Sequence, residues 1–202
     1  MKKLLTILII GIFFLSIGCT KKNENNSSLE YFNEADLIKY SSNENNEMDA
    51  REQFKIQLEE FSDFSKKFFS IWKDHIEKTT QLLEKFNNEN IPLDEKVLYS
   101  RMLLEKYEKF NDDLKQIAPP PEASRAYHYA LSAISKRILF FKEFEKGTNI
   151  YTLTEIENEA YLYETLFWEE IDNIYNYFDE RAAQLGISNN SEFFLQSKIK
   201  LF

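Results

Sequence analysis

Residues 54–72 read FKIQLEEFSDFSKKFFSIW. Within them Phe54, Leu58, Phe61, Phe64, Phe68 and Trp72 recur at steps of three or four, which lines them along one side of an α-helix. The track continues through Thr79, Leu82 and Phe86, and His75 falls in the gap between Trp72 and Thr79. Asp49 and Glu52 have capping-box spacing, with Asp in place of the usual Ser or Thr. The helix is therefore expected to begin at Asp49 and to end by the polar run Asn87–Pro92. At about 1.5 Å per residue it would approach 60 Å. That exceeds its expected partners, so a break near Ser62-Asp63 is anticipated.

Three further stretches carry the same period. From Leu93 to Ile117 the stripe is Val97, Leu98, Met102, Leu104, Tyr107, Phe110, Leu114 and Ile117. Pro119-Pro120-Pro121 ends it, because proline lacks the N–H a helix needs and displaces the residue before it from the α region. Pro121 can open the next helix, whose first turn needs no N–H. From Glu122 to Lys146 the stripe is Ala123, Tyr127, Leu131, Ile134, Ile138, Phe141 and Phe144, and Gly147 suits the left-handed residue that closes a helix. For the fourth helix, Thr152 and Glu155 make a capping box, with Tyr151 and Ile156 placed for a hydrophobic staple. Its stripe is Ile156, Ala160, Tyr163, Phe167, Ile171, Ile174, Phe178, Ala182 and Leu185, and Gly186 stops it. Four stripes with short connections predict an all-α fold, an antiparallel up-down-up-down four-helix bundle occupying residues 49–202. Within it, Ser191 to Phe202 holds Phe193, Phe194, Leu195, Ile199, Leu201 and Phe202 and is expected to add a short C-terminal helix, a partner-binding tail being the sharper alternative.

The chain has 202 residues, with 25 Lys and Arg against 34 Asp and Glu and a formal net charge of −9. That sign argues against nucleic-acid binding and against adhesion to anionic lipid by charge. From residue 19 onward the only glycines are Gly147 and Gly186, and the prolines are Pro92 and the triple run, all lying between the periodic stretches. Neither a phosphate-cradling loop nor a β-hairpin has the glycines it requires.

The N-terminus is built differently. Lys2 and Lys3 precede an apolar run from Leu4 to Ile17, and Gly18 stands directly before Cys19, the only cysteine in the chain. The run is shorter than the roughly 20 residues needed to span a bilayer, which favours a cleaved signal over a permanent helix. Residues 1–20 resemble a bacterial lipoprotein signal, although Ser16 stands where that family usually has Leu. The resemblance implies cleavage after Gly18, a lipid thioether and an N-acyl chain (palmitate among them) on Cys19, and a place in the cell envelope. Several acyl chains, at about 0.8 kcal/mol per buried CH₂, hold far more firmly than one. Losing residues 1–18 removes Lys2 and Lys3 and carries the charge from −9 to −11. Residues 19–48 are mostly polar and read as a lipidated, disordered tether with a typical reach near 30 Å, at about 5–6 Å × √n. An ordinary secreted protein with one free thiol, or an uncleaved anchor, are the alternatives for the same residues.

Candidate sites are few. Counting back from the Gly147–Tyr151 connection puts His128 level with Glu170, so a polar pair between them is expected. His75 reads as a half-buried core histidine, with metal ligation as the alternative. Neither histidine has Glu three residues earlier, as di-iron bundles require, and no His-Glu-x-x-His is present. No catalytic, cofactor or metal residues are therefore expected, and the chain is not read as an enzyme. Glu155, Glu157, Glu159, Glu164, Glu169, Glu170, Asp172, Asp179 and Glu180 read as a solvated acidic face of the fourth helix. Phe69, Phe140, Trp168 and Tyr177 fall beside the stripes. They read as a wide packed core or, alternatively, as a groove or cavity for a lipid-like ligand or partner helix. The functional expectation is a lipid-anchored, non-enzymatic envelope protein with a binding or structural bundle. Its partners are the membrane, through the acyl chains, and an unidentified protein. A small-molecule or lipid-like ligand binder is the alternative.

Replacing Cys19 with Ser should move the protein from the detergent phase to the aqueous phase in a Triton X-114 partition. An unchanged partition would refute lipid attachment at this residue.

Overall fold

A computed structural model describes residues 49–187. The expected leader (1–18), Cys19, the tether (19–48) and the C-terminal helix after Ser191 lie outside the described residues. The described part is all-helical and forms a helical bundle. Its helices are α1 (Ala50–Asn87), α2 (Leu93–Lys115), α3 (Ser124–Glu145) and α4 (Ile150–Gln184), with a 3₁₀ turn at Pro121–Ala123 before α3. None of them is long and apolar enough to cross a membrane.

Local chemistry sets the ends. Asp49 caps α1, its carboxylate accepting from the Arg51 N–H at 3.2 Å. Pro92 precedes α2, whose first turn carries Asp94 and Glu95 against the positive end of the helix dipole. α3 closes at Gly147, whose φ of 73° is open to glycine without a Cβ penalty. There the Thr148 N–H reaches Glu143 C=O at 3.1 Å and the Gly147 N–H reaches Phe144 C=O at 3.0 Å, the paired bonds of a Schellman closure. α4 closes the same way at Gly186, with φ 60° and the Ile187 N–H on Ala182 C=O at 2.9 Å.

Three sequence expectations need correction. α1 is continuous through Ser62-Asp63 over 38 residues. The buried rings of Phe61 and Phe64 straddle that point, and both serines near it, Ser62 and Ser65, are themselves buried. Tertiary packing thus outweighs the weak local helix preference. α4 begins three residues before the predicted capping box. Asn149 is its cap, with Oδ1 accepting from the Thr152 N–H at 3.1 Å, and Tyr151 is exposed rather than stapled to Ile156. On α2, Leu98 and Met102 are 54% and 39% exposed, while Leu103, Ser100 and Asn111 are buried. α2 packs against both α1 and α3, and its apolar residues fit more than one face, so the period alone did not choose the inward one.

The core has two apolar clusters. One gathers Phe54, Phe61, Phe68, Phe110, Ile134, Phe167 and Phe178. The other gathers Phe86, Leu103, Phe140, Phe141, Leu153 and Ile156. α3 approaches α4 closely, and Ala126, Ala130, Ala133 and Ala160 are all hidden in the interior. α1 meets α4 through rings instead. Trp72 stacks on Phe167 with centroids 5.2 Å apart and planes 11° apart, Phe69 lies parallel to Trp168, and Phe61 and Phe54 both meet Phe178. Phe69 and Trp168, which the stripes left aside, are thus members of a wide packed seam.

Phe167→Ala should cost about 3–5 kcal/mol in urea unfolding, whereas Leu98→Ser should stay within about 0.5 kcal/mol. Comparable losses at both positions would mean that α2 turns its other face inward.

Candidate functional site

Between the two apolar clusters lies a polar layer to which every helix contributes. α1 supplies His75 and Thr79, α2 Tyr107, α3 Arg137, and α4 Glu157 and Glu164. Arg137 is buried and sits one turn after the buried Ile134 and one turn before Phe140 and Phe141. That position forces its guanidinium into the interior, where an unpaired charge would be very costly. Glu164 answers with both oxygens. Arg137 Nε donates to Oε1 at 3.1 Å and Nη2 to Oε2 at 3.2 Å. Glu157, two turns earlier on α4, accepts from Nη1 on the other side. The side chains of all three are at least six-sevenths buried.

The electrostatics hold this layer in one charge state. Burial alone would lower the Arg137 pKa, but Glu164 and Glu157 more than offset it, so the guanidinium stays charged. Burial pushes the Tyr107 phenol up to about 12, with Arg137 opposing and the two glutamates adding to the shift. His75 stacks on Phe110 with centroids 4.0 Å apart and planes 7° apart, and meets the Tyr107 ring edge-on. Its Nε2 is enclosed without a hydrogen-bond partner. Burial lowers its pKa to about 4, Asp74 pulling up and Lys78 down. Around neutral pH the layer therefore holds a neutral imidazole, a neutral phenol and a fixed guanidinium all three of whose nitrogens donate to the two glutamates. Its chemistry is that of a clamp between α3 and α4, with α1 and α2 packed on its rim.

The sequence-predicted residues fall as follows. Glu170 does not pair with His128. It takes Arg125 Nε and Nη2, each at 2.9 Å, one turn earlier on α3. His128 is exposed and makes no hydrogen bond or ion pair with the described residues. The physical reason is the earlier start of α4 at Asn149, which shifts the α3–α4 register by about a turn. His75 is more deeply buried than half. The acidic face of α4 is only partly solvated, since Glu157, Glu164 and Glu170 turn inward onto arginines of α3 and Glu159 pairs with Lys136. Arg137 itself escaped the sequence reading. The available signal was its place in the apolar phase of α3, between Ile134 and Phe141. No group of three or more His, Cys, Asp or Glu is arranged to hold a metal among the described residues.

No protein-family model matches the chain, and neither a curated protein nor a solved structure does so significantly.

Arg137→Ala strands two buried carboxylates and should cost about 3–5 kcal/mol, whereas Arg137→Met with Glu157→Leu and Glu164→Leu should recover most of that loss. Chemical denaturation of the two variants is the measurement. For His75 the folded pKa lies below the unfolded one. The unfolded chain thus binds more protons between pH 6.5 and 4, and stability falls as pH drops through that window. The loss should reach roughly 3 kcal/mol and then level off below about pH 4. Urea midpoints taken across the window on the native chain and on His75→Phe should differ by this slope.

Proposed function

We propose that this chain is a lipid-anchored protein of the bacterial cell envelope, held by acyl chains on Cys19, whose helical bundle is a non-enzymatic binding or structural module. The observation that carries it is the N-terminal order: Lys2-Lys3, an apolar run from Leu4 to Ile17, then Gly18-Cys19. The first described helix starts only at Ala50, so some thirty residues separate the anchor from the bundle. That spacing suits a body carried clear of the membrane, and the acidic balance of the chain suits a surface not drawn to anionic lipid.

Further support for a module that holds its shape comes from the interior. Phe68 and Trp72 of α1 both pack on Phe167 of α4, with centroids 5.4 and 5.2 Å away, and the polar layer spends its charges on itself. This favours a filled core over a ligand cavity. The helix order we propose is up-down-up-down and antiparallel. In support, ring pairs between α1 and α4 descend along α4 as they ascend α1, from Phe54 with Phe178 to Trp72 with Phe167. Pairs between α2 and α3, such as Glu108 with Lys142 and Arg101 with Glu145, run the same way.

The reading is tested by crosslinking in intact cells followed by pull-down, with the Cys19→Ser form as control. Mass spectrometry of the mature N-terminus should show an acylated cysteine, and envelope partners should be captured only by the acylated form. An unmodified terminus would overturn the anchor.

A further inference from the structure

The helices do not share the charge of the bundle evenly. α1 carries as many Lys and Arg as Asp and Glu, and several of its surface acids pair with a lysine three or four residues away, as Asp63 does with Lys66, Asp74 with Lys78 and Glu77 with Lys73. α4 carries nine acidic residues and a single base, Arg181. Four of the nine, Glu157, Glu159, Glu164 and Glu170, meet bases of α3. Glu155, Glu169, Asp172, Asp179 and Glu180 are exposed and form no ion pair with the described residues. Glu169 and Asp172 stand three apart, and Glu155 and Glu159 four apart, spacings at which like charges repel along a helix. The outer side of α4 is therefore left without cations of its own.

Acidity alone describes a solvated face. Three large apolar side chains on the same helix make this one different: Tyr151 is 73% exposed, Tyr161 52% and Leu162 55%. Tyr151, Glu155, Leu162 and Glu169 follow one another at helical spacing, so apolar and acidic groups share one line along the outside of α4, with Tyr161 beside it. From Tyr151 to Glu169 that line spans about 27 Å at 1.5 Å per residue. A partner that covers it must bring apolar contacts to Tyr161 and Leu162 and cations about two turns to either side, which is the pattern of a basic amphipathic helix. The exposed pair Leu98 and Met102 on α2 lies among Arg101, Glu105 and Lys106, whose mixed signs select no partner. A second copy of the described bundle offers no basic strip either. Arg125, Lys136, Arg137 and Lys142 of α3 are each held by a glutamate, and the lysines of α1 are interspersed with acids.

We propose that the outward face of α4, centred on Tyr161 and Leu162 between Glu155 and Glu169, docks a basic amphipathic helix of another protein. This rests on the reading of the bundle as a binding module, names the chemistry of what it binds, and does not depend on the lipid anchor. The test is a fluorescence-anisotropy titration of the full chain with a labelled Leu/Lys peptide of about five helical turns whose leucines fall on one face, against a scrambled peptide of the same composition. The amphipathic peptide should bind at least tenfold more tightly than the scramble, and its affinity should fall with added salt. Tyr161→Ser with Leu162→Ser should weaken it about tenfold at an unchanged urea midpoint. Glu155→Gln with Glu169→Gln and Asp172→Asn should weaken it and flatten its salt dependence, and Leu98→Ser with Met102→Ser should leave it as it is. If the double serine variant lowers the urea midpoint, Leu162→Ala is used in its place and weaker binding is still required. Equal binding of the two peptides would reduce the face to a solvated acidic surface and overturn the proposal, as would a loss produced by the α2 variants and not by those on α4. Envelope partners crosslinked to other helices, with no peptide bound at α4, would overturn this face and leave the binding-module reading standing.

Discussion

Arg137 cannot occupy the interior of this bundle without the two carboxylates that meet it. Its guanidinium sits in the apolar phase of α3, so Glu157 and Glu164 have to stand at fixed heights on α4. A bidentate bond tolerates little sliding, and slippage by one helical turn would leave a buried charge unpaired. The same pair of helices is tied again by Arg125 with Glu170 at one end and by Lys136 with Glu159 beside the layer. Hydrophobic stripes accept neighbouring registers at modest cost, and charged pairs in a low-dielectric interior do not. The arginine layer therefore supplies the specificity that the ring-rich core lacks.

The rings supply most of the apolar burial and set the spacing. α3 and α4 draw together with alanines between them, whereas α1 stands off α4 by the thickness of stacked aromatic side chains. Trp72, Phe68 and Phe167 form a continuous stack across that wider gap, and Phe69 with Trp168 extends it sideways. Offset and edge-on ring contacts add to the area term without demanding one exact fit. An aromatic excess that looks surplus in a stripe diagram is what fills a seam between helices held this far apart.

The polar layer also explains why two histidines in one chain behave so differently. His75 lies flat on Phe110 and loses its affinity for protons because water has been removed from around it. His128 lies on the outer side of α3, where Arg125, a turn earlier, has already claimed Glu170. Arginine reaches further and offers two parallel donors, so it wins a carboxylate at a helix seam over an imidazole nearby.

Apolar spacing, the proline run and the two glycines were enough to place four helices and to mark Gly147 and Gly186 as closing residues, because these are local properties of the backbone. The stripe of α4 was legible for the same reason, since one dominant apolar face leaves a single answer. Three things waited for the tertiary structure. Leu98 and Met102 turned outward because α2 serves two neighbours and has more apolar residues than inward places. The cap of α4 moved to Asn149 because the closure at Gly147 delivers the chain there, ahead of the stronger motif at Thr152. The pairing of Arg137 with Glu157 and Glu164 was hidden because it depends on relative helix height, which that small shift in the connection decides and which no spacing within one helix records.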